Sequence, residues 1–372
     1  MNKEVIKSYK SFDKDMKCRD FQYEVGKEYE MKGHIECCER GFHACESPLE
    51  VFDYYDMLNS RFAEVEQSGT IDREGSTKVC SSRIKIKVEL KLADIINIGV
   101  EWLKDITSPS NVKADGALND NGDRKEQIGS SGDYAQIGSS GDYAQIGSSG
   151  GSAKIGSSGD SAKIGSSGDS AKIGSSGDYA KIGSSGGSAK IGSSGGSAQI
   201  GSSGDYAQIG SSGYSAKIGS SGYSAKIGSS GDYAKIGSSG DSAKIGSSGY
   251  SAQIGSSGDY AQIGSSGDSA KIGSSGGSAK IGSSGDYAKI GSSGNYAKID
   301  STGEDSVIMC AGRNSKAKAN IGSWITLAEW KWSNEKNRYV PVCVKTEYVD
   351  GEKIKADTWY KIENGKFVEV NE

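Results

Sequence analysis

The sequence predicts a mainly β protein: a two-sided β-solenoid of nonapeptide repeats, with 18 residues per coil, flanked by a small α+β N-terminal domain and a small β C-terminal cap. Nineteen near-identical nine-residue units, which follow one another from Ile128 to Lys298, are the first reason for this prediction. The second is composition, because 55 glycines and a hydrophobic share of 34% leave too few apolar residues for one large core, typical domains having about 45–50%.

The repeat unit reads I-G-S-S-G-D-Y/S-A-K/Q, and we number its positions from one to nine. Its two glycines would each cost a helix about 1 kcal/mol relative to alanine, which excludes a helical repeat. A flexible Gly/Ser linker has a similar composition, but such a linker has no reason to keep Ile and Ala in a fixed register. A stacked core requires that register, so the repeats favour a solenoid.

Each unit is expected to form a short strand and a turn. The segment YAQI at residues 134–137 alternates, which places Ala135 and Ile137 on one face. The segment GSSGD at residues 138–142 is expected to be the turn, with glycines at positive φ. Two units then close a coil, and parallel strands ~4.8 Å apart give about nine to ten coils in a rod of about 45 Å. A three-sided coil of 27 residues is the alternative.

The N-terminal domain is predicted over residues 1–115. Ser47 is expected to cap a helix that runs through Met57, because Pro48 and Glu50 occupy the positions favoured at a helix start. Strands are predicted at residues 21–29, 61–69 and 82–90, and a second helix at residues 92–103.

Terminal elements of the solenoid are expected to cover its open edge strands. Residues 116–127 are interpreted as a degenerate first coil. The solenoid is predicted over residues 128–319, since Ile308 and Gly312 keep the nine-residue register. A C-terminal β cap is predicted over residues 320–372, with tight turns at Asp350-Gly351 and Asn364-Gly365.

Charge and hydropathy limit the class of partner. The net charge of −4 without a basic cluster argues against nucleic acid. Neither an apolar run of ~18 residues nor a signal peptide is visible, so no membrane contact is predicted and a cytoplasmic location is expected. In that compartment the seven cysteines are expected to be thiols or metal ligands.

Both histidines lie in the cysteine-rich stretch HIECCERGFHAC at residues 34–45. Imidazole and thiolate are preferred zinc ligands, so Cys18, Cys38, His43 and Cys45 are the candidate metal site. The alternative is a packed histidine among buried thiols, since the spacing is not that of a zinc finger. Zinc is the only cofactor suggested, and no catalytic residue is predicted.

Outward tyrosines at position seven form the predicted binding face, because tyrosine is favoured at interfaces. The alternative is that these rings shield the strands and stack on one another. Outward serine rows also suggest an ice-binding solenoid, although Lys or Gln at position nine interrupts such a surface. The predicted binding face comprises Tyr134, Tyr143, Tyr179, Tyr206, Tyr233, Tyr260 and Tyr287.

Longer phrases in both flanks carry a family resemblance. They are YKSFDKDMKCRDFQYEVGKEYE and CERGFHACESPLEVFDYY near the N-terminus, and AGRNSKAKANIGSWITLAEW and VDGEKIKADTWYKIENGKFVEV near the C-terminus. They resemble an uncharacterised domain-of-unknown-function family of phage, prophage and Gram-positive bacteria with internal short repeats. The resemblance implies no catalytic residues, and it implies structural importance for Cys18, Cys38, Gly41, Phe42, His43 and Cys45.

These features lead us to expect a non-enzymatic, phage-associated repeat scaffold in the cytoplasm of a bacterial host. Its outer solenoid face is expected to bind a host or viral protein, and interference with a host defence system is expected by analogy. One alternative is an N-terminal domain similar to ADP-ribosyltransferase-like folds on a solenoid spacer, suggested by a Gly-Phe-aromatic strand followed by a helix. An ice-binding solenoid is the other.

Overall fold

The computed structural model describes residues 4–54, 60–74, 78–107 and 127–371. The chain divides into two compact units, Met1–Trp102 and Leu103–Glu372. The predicted degenerate first coil at residues 116–127 lies outside the described residues, apart from Gln127.

The N-terminal unit is a small β domain with one α-helix. Five of its strands form a sheet in the order β4-β7-β5-β1-β6, and β6 also pairs with β7, so the sheet closes on itself. A 3-10 helix (Pro48–Asp53) follows β5, and α1 (Leu92–Thr107) follows β7. The strands are β1 (Ile6–Phe12), β2 (Lys17–Cys18), β3 (Phe21–Gln22), β4 (Glu28–Glu30), β5 (Phe42–Cys45), β6 (Arg61–Glu74) and β7 (Lys78–Leu90).

The predicted N-terminal elements are partly confirmed. Strands do occupy residues 61–69 and 82–90, and α1 begins at Leu92, but each element is longer than predicted. The single strand predicted at residues 21–29 is wrong: β3 and β4 are separated by a turn at Gly26, whose φ is +85°. The helix after Ser47 is a short 3-10 helix in which the serine side chain makes no cap hydrogen bond.

A buried glutamine joins the strands that carry the N-terminal site. Gln67 accepts a hydrogen bond from Ser8 Oγ at 2.7 Å and donates to the Phe42 carbonyl at 2.7 Å. It also donates to Ser81 Oγ at 3.1 Å. A buried amide must satisfy its polar atoms within the protein, so Gln67 ties β6 to β1, β5 and β7.

The second unit is a two-sided solenoid of about 11 turns, with about 18 residues per turn. Each coil gives one strand to each of two parallel sheets, and equivalent residues of successive coils are paired, as in Ile164 with Ile182 and Ile173 with Ile191. The two-sided prediction is confirmed, because a three-sided coil would pair residues that lie 27 positions apart.

We call the two sheets the first and the second sheet. The first contains β8 (Gln127–Ser130), β10 (Gln145–Ser148), β12 (Lys163–Ser166), β14 (Lys181–Ser184), β16 (Gln199–Ser202), β18 (Lys217–Ser220), β20 (Lys235–Ser238), β22 (Gln253–Ser256), β24 (Lys271–Ser274), β26 (Lys289–Ser292) and β28 (Val307–Cys310). The second contains β9 (Gln136–Ser139), β11 (Lys154–Ser157), β13 (Lys172–Ser175), β15 (Lys190–Ser193), β17 (Gln208–Ser211), β19 (Lys226–Ser229), β21 (Lys244–Ser247), β23 (Gln262–Ser265), β25 (Lys280–Ser283), β27 (Lys298–Ser301) and β29 (Lys316–Ala319).

The strand within each unit begins later than predicted. It covers position nine and then positions one to three, so the segment predicted as strand (134–137) is corrected to Gln136–Ser139. Ile137, Ser139 and Ala144 are buried.

The position-three serine was expected to point outward, but it is buried in every unit from Ser139 onwards. In seven units the buried hydroxyl has no hydrogen-bond partner, as at Ser157 and Ser292. In the other twelve it accepts the N–H of position five, as in Ser202 and Gly204 at 3.3 Å. That bond allows a small polar residue in the core.

The position-five glycine is required by close contact between coils. A Cβ placed on Gly204 would lie 1.9 Å from the carbonyl oxygen of Gly186 in the preceding coil. The predicted positive φ at the repeat glycines is wrong, because positive-φ glycines of the described chain lie only outside the repeats. Positive φ instead occurs at position seven in the last five units, at Tyr260, Ser269, Ser278, Tyr287 and Tyr296.

Two hairpins end the solenoid, as the predicted C-terminal cap required. β30 (Trp324–Ser333) and β31 (Arg338–Tyr348) extend the first sheet, and β32 (Tyr360–Glu363) and β33 (Lys366–Glu369) extend the second. The predicted Asn364-Gly365 turn is confirmed, since it joins β32 to β33 with both residues at positive φ. Asp350-Gly351 lies instead in the loop after β31, where the Asp350 carboxylate accepts three backbone N–H groups.

We predict that Gly204→Ala destabilises the solenoid by about 1–3 kcal/mol, the usual cost of overpacking a filled interior. The matched control is Gly201→Ala at position two of the same unit, where an added Cβ meets no heavy atom within 4 Å. Its free energy of unfolding should change by less than about 0.5 kcal/mol. Urea unfolding of the full chain, followed by circular dichroism, measures both, and equal losses would contradict the role of the coil contact.

Candidate functional site

The seven tyrosines of the predicted binding face lie in two rows, which also include Tyr214, Tyr223, Tyr250 and Tyr296. Because two units make one coil, successive turns lie alternately on two opposite edges of the solenoid. Turns that lead from the first sheet to the second form edge one, and turns that lead from the second sheet back to the first form edge two. All these rings are between 45% and 82% exposed. Edge one carries Tyr134, Tyr206, Tyr223, Tyr260 and Tyr296, and edge two carries Tyr143, Tyr179, Tyr214, Tyr233, Tyr250 and Tyr287.

The tyrosine rings of the repeats mostly do not stack on one another. Among the described residues, Tyr214 and Tyr233 are the one repeat pair in ring contact, with centroids 5.0 Å apart in an edge-to-face arrangement. At the end of edge one, Tyr296 lies beside the Arg313 guanidinium, 5.6 Å from the ring centroid. Stacking of one repeat tyrosine on another, the alternative to a binding face, is therefore found for one described pair, and the other repeat tyrosines are exposed.

Aspartate at position six ties neighbouring coils together. In seven units its carboxylate accepts the position-six N–H of the next coil, at distances from 2.6 Å (Asp259 with Gly277) to 3.5 Å (Asp232 with Tyr250). Asn295 makes the same bond to Arg313 at 2.9 Å. These side chains are therefore part of the scaffold that holds the tyrosines in place.

The outer surface of the first sheet carries a straight, open groove of about 1610 Å³. Its floor is the row of position-two glycines, which have no side chain, and position-nine side chains line it. None of the strands from β8 to β26 in this sheet contains an acidic residue. The surface is therefore positively charged, with Lys163, Lys181, Lys217, Lys235, Lys271 and Lys289.

The N-terminal unit contains a pocket of about 720 Å³, and all four residues of the predicted metal site line it: Cys18, Cys38, His43 and Cys45. Three basic side chains line the same pocket, those of Lys10, Arg19 and Lys78. The four residues of the candidate metal site therefore lie around one pocket.

Lys10 is the buried charged group of this pocket. Its Nζ donates to the His43 carbonyl at 2.8 Å and to Cys18 Sγ at 3.5 Å. The ammonium also lies 5.6 Å from the Phe12 ring centroid and 5.5 Å from that of Tyr23. Burial lowers the pKa of Lys10, with the nearby Cys18 acting in the opposite direction.

The His43 ring is held by the loop before β5. Its Nε2 accepts the backbone N–H of Cys38 at 2.9 Å, so the proton of the neutral ring lies on Nδ1. Burial lowers the pKa of His43, and the positive charges of Lys10 and Lys78 lower it further. A neutral imidazole is the form that binds metal ions.

The structure brings His43 together with two cysteines, Cys37 and Cys80, that are not among the three of the candidate metal site. The ligand atoms of Cys37, His43 and Cys80 all lie within 4.8 Å of one another. Cys18, Cys38 and Cys45 do not belong to this group. Burial, with Cys37 beside it, raises the pKa of the Cys80 thiol to about 12. Cys37 lies in the cysteine-rich stretch at residues 34–45. Cys80 lies far from it in sequence, and only the pairing of β5 with β7 shows that Cys80 is next to His43.

The N-terminal site lies within a region that matches a known family. Residues 6–98 match the model of a domain of unknown function, DUF7666. The matched range includes the pocket and the Cys37, His43 and Cys80 group. The C-terminal phrases that also suggested a family lie outside it. No curated protein and no solved structure matches the chain.

Within the described residues, no helix combines the length and the apolar character that crossing a membrane requires.

We predict that Lys10 titrates below the ordinary lysine pKa of 10.5 in the folded chain, because burial disfavours its charge. The unfolded chain then binds this proton more strongly, so the free energy of unfolding rises with pH between the lowered pKa and 10.5. NMR titration of ¹³C-labelled lysines measures the pKa, and the Lys10 signal is the one lost in Lys10→Met. Lys17→Met, at an exposed site, is the control; a Lys10 signal that titrates with the exposed lysines would contradict the prediction.

Proposed function

We propose that this chain is a non-enzymatic repeat scaffold that binds a protein partner through the tyrosines on the two edges of the solenoid. The observation that carries the proposal is the exposure of these rings on stacked, hydrogen-bonded turns, from 45% at Tyr233 to 82% at Tyr134. Each ring projects from a backbone that the neighbouring coils hold in place.

Tyrosine suits this role for a physical reason. It offers a large amphipathic contact area with few rotatable bonds, so little conformational entropy is lost when it is immobilised in an interface. The Asp259 and Asp286 bonds between coils reduce that cost further, because they fix the turns before a partner binds. Tyrosine is also among the residues that dominate binding energy at protein interfaces.

The composition of the repeats agrees with binding in preference to catalysis. The nineteen perfect units contain neither histidine nor cysteine, the side chains most used for acid–base and nucleophilic chemistry near neutral pH. Their sequence varies mainly at positions six, seven and nine, where the side chains point away from the core.

The biological setting is proposed from the resemblance described above. It suggests a phage-encoded protein that acts in the cytoplasm of a bacterial host, and its partner would then be a host or viral protein. Interference with a host defence system is the outcome we propose for that contact.

Edge variants of the full chain test the proposal. One variant carries Tyr206→Ser, Tyr223→Asp and Tyr260→Ser on edge one, and another carries Tyr179→Ser, Tyr233→Ser and Tyr250→Asp on edge two. Serine at position seven and aspartate at position six occur naturally in other units, so both variants should fold. The control replaces Lys163, Lys217 and Lys271 with glutamine, the other natural residue at position nine.

Partners are captured from bacterial lysate by affinity purification and cross-linking, and the dissociation constant of a purified partner is then measured. We expect at least one edge variant to bind about tenfold more weakly or worse, since one interface anchor is often worth about 2 kcal/mol or more, and the lysine control to bind as the native chain does. A further variant combines the six substitutions of the two edge variants. If it binds the partner as tightly as the native chain does, the proposal is wrong.

A further inference from the structure

Three strands place potential metal ligands side by side in the N-terminal unit. Cys80 on β7 is paired with His43 on β5 and, on its other side, with Asp72 on β6. Directly paired residues of neighbouring strands project from the same side of a sheet. The strand register therefore places Cys80 between His43 and Asp72, three residues from separate parts of the sequence.

A short loop adds a second thiol above this row. The Glu36 and Arg40 backbones form a bridge that closes the loop, and the backbone N–H of Cys37 donates to Asp72 Oδ2 at 2.8 Å. The Cys37 thiol contacts the Asp72 carbonyl at 3.5 Å. Asp72 therefore holds Cys37 where its sulfur joins the ligand atoms of His43 and Cys80, all within 4.8 Å.

The same loop is shaped around the sulfur of Cys80. Cys80 Sγ lies 3.3 Å from the Arg40 carbonyl and 3.8 Å from the Glu36 carbonyl. Gly41 has a φ of +140°, and a Cβ there would lie 2.1 Å from that sulfur. Only glycine allows the chain to pass so close, so the backbone at 36–41 is adapted to a sulfur at this position.

We propose that Cys37, His43 and Cys80 bind a zinc ion. Two thiolates and one imidazole are a preferred donor set for zinc, with Zn–S near about 2.3 Å and Zn–N near about 2.0–2.1 Å. The three ligand atoms lie within 4.8 Å of one another, and a tetrahedral ion with these bond lengths draws them closer together. Solvent occupies the fourth position.

Zinc binding through His43 Nε2 replaces one hydrogen bond of this nitrogen with a metal bond. The His43 Nε2 lone pair now accepts the N–H of Cys38 at 2.9 Å. Coordination through Nε2 releases that N–H. Cys38 itself stays outside the ligand set, since its exposed thiol accepts a hydrogen bond from Lys78 Nζ at 2.6 Å.

The full chain, purified with reduced thiols and freed of metal by a chelator, is titrated with Co²⁺ as the probe and then with Zn²⁺. We expect one equivalent of cobalt to give thiolate-to-cobalt charge transfer and the visible bands of tetrahedral cobalt, and zinc to remove both. Cys37→Ser and Cys80→Ser should each weaken binding by about tenfold or more and lose part of the charge-transfer intensity. His43→Gln should weaken binding while retaining charge transfer at saturating cobalt.

Cys38→Ser and Cys45→Ser are the matched controls, one adjacent to Cys37 in sequence and the other on β5, the strand that carries His43. Both should bind cobalt as the native chain does. Absence of tetrahedral cobalt bands in the native chain would overturn the proposal, as would bands that survive in Cys37→Ser but disappear in Cys38→Ser. Cys37 is only partly buried, so Cys37→Ser should fold and tests the ligand set even if Cys80→Ser does not fold.

Discussion

The close contact between successive coils at position five is the constraint on which the rest of the solenoid depends. The carbonyl oxygen of one glycine occupies the space in which the next coil would place a Cβ, as at Gly186 and Gly204. Once the turns stack this closely, parallel strands can pair residue for residue along both sheets. The buried Ile and Ala rows are then continuous, and apolar burial in each coil depends on the coil before it.

That constraint also explains where the sequence can vary. Positions one, three, five and eight are fixed by burial or by the coil contact, so substitutions there disturb both neighbouring coils. Position two differs, because a Cβ added there, as on Gly201, meets no heavy atom within 4 Å. Side chains at positions six, seven and nine point away from the core, so these positions can vary. Position six is a partial exception, because Asp259 and Asp286 bond to the next coil, yet Gly or Tyr is tolerated there since backbone pairing alone maintains the stack.

In the N-terminal unit, by contrast, the site is formed by contacts between residues that are far apart in the sequence. Part of the cysteine-rich stretch at residues 34–45 lines one pocket, with Cys38, His43 and Cys45 among the lining residues. The group of side chains that meet at His43 includes Cys80, whose position opposite His43 is set by the pairing of β5 with β7. No periodicity in the sequence predicts the pairing of β5 with β7, whereas the nine-residue period of the repeats directly predicts which residues pair in the solenoid.

The sequence by itself determined the solenoid and its buried Ile and Ala rows, because a near-identical unit repeated nineteen times buries the same residues in every coil. It left coils of 18 and of 27 residues open, and strand pairing between residues 18 positions apart decided for the first. Only the tertiary structure decided the rest. It showed that the position-three serine points inward, since its hydroxyl can bond to the turn, and that one sequence row of tyrosines becomes two opposite edges, since two units make each coil. It also decided which cysteines meet His43, because that outcome depends on strand pairing between residues far apart in the chain.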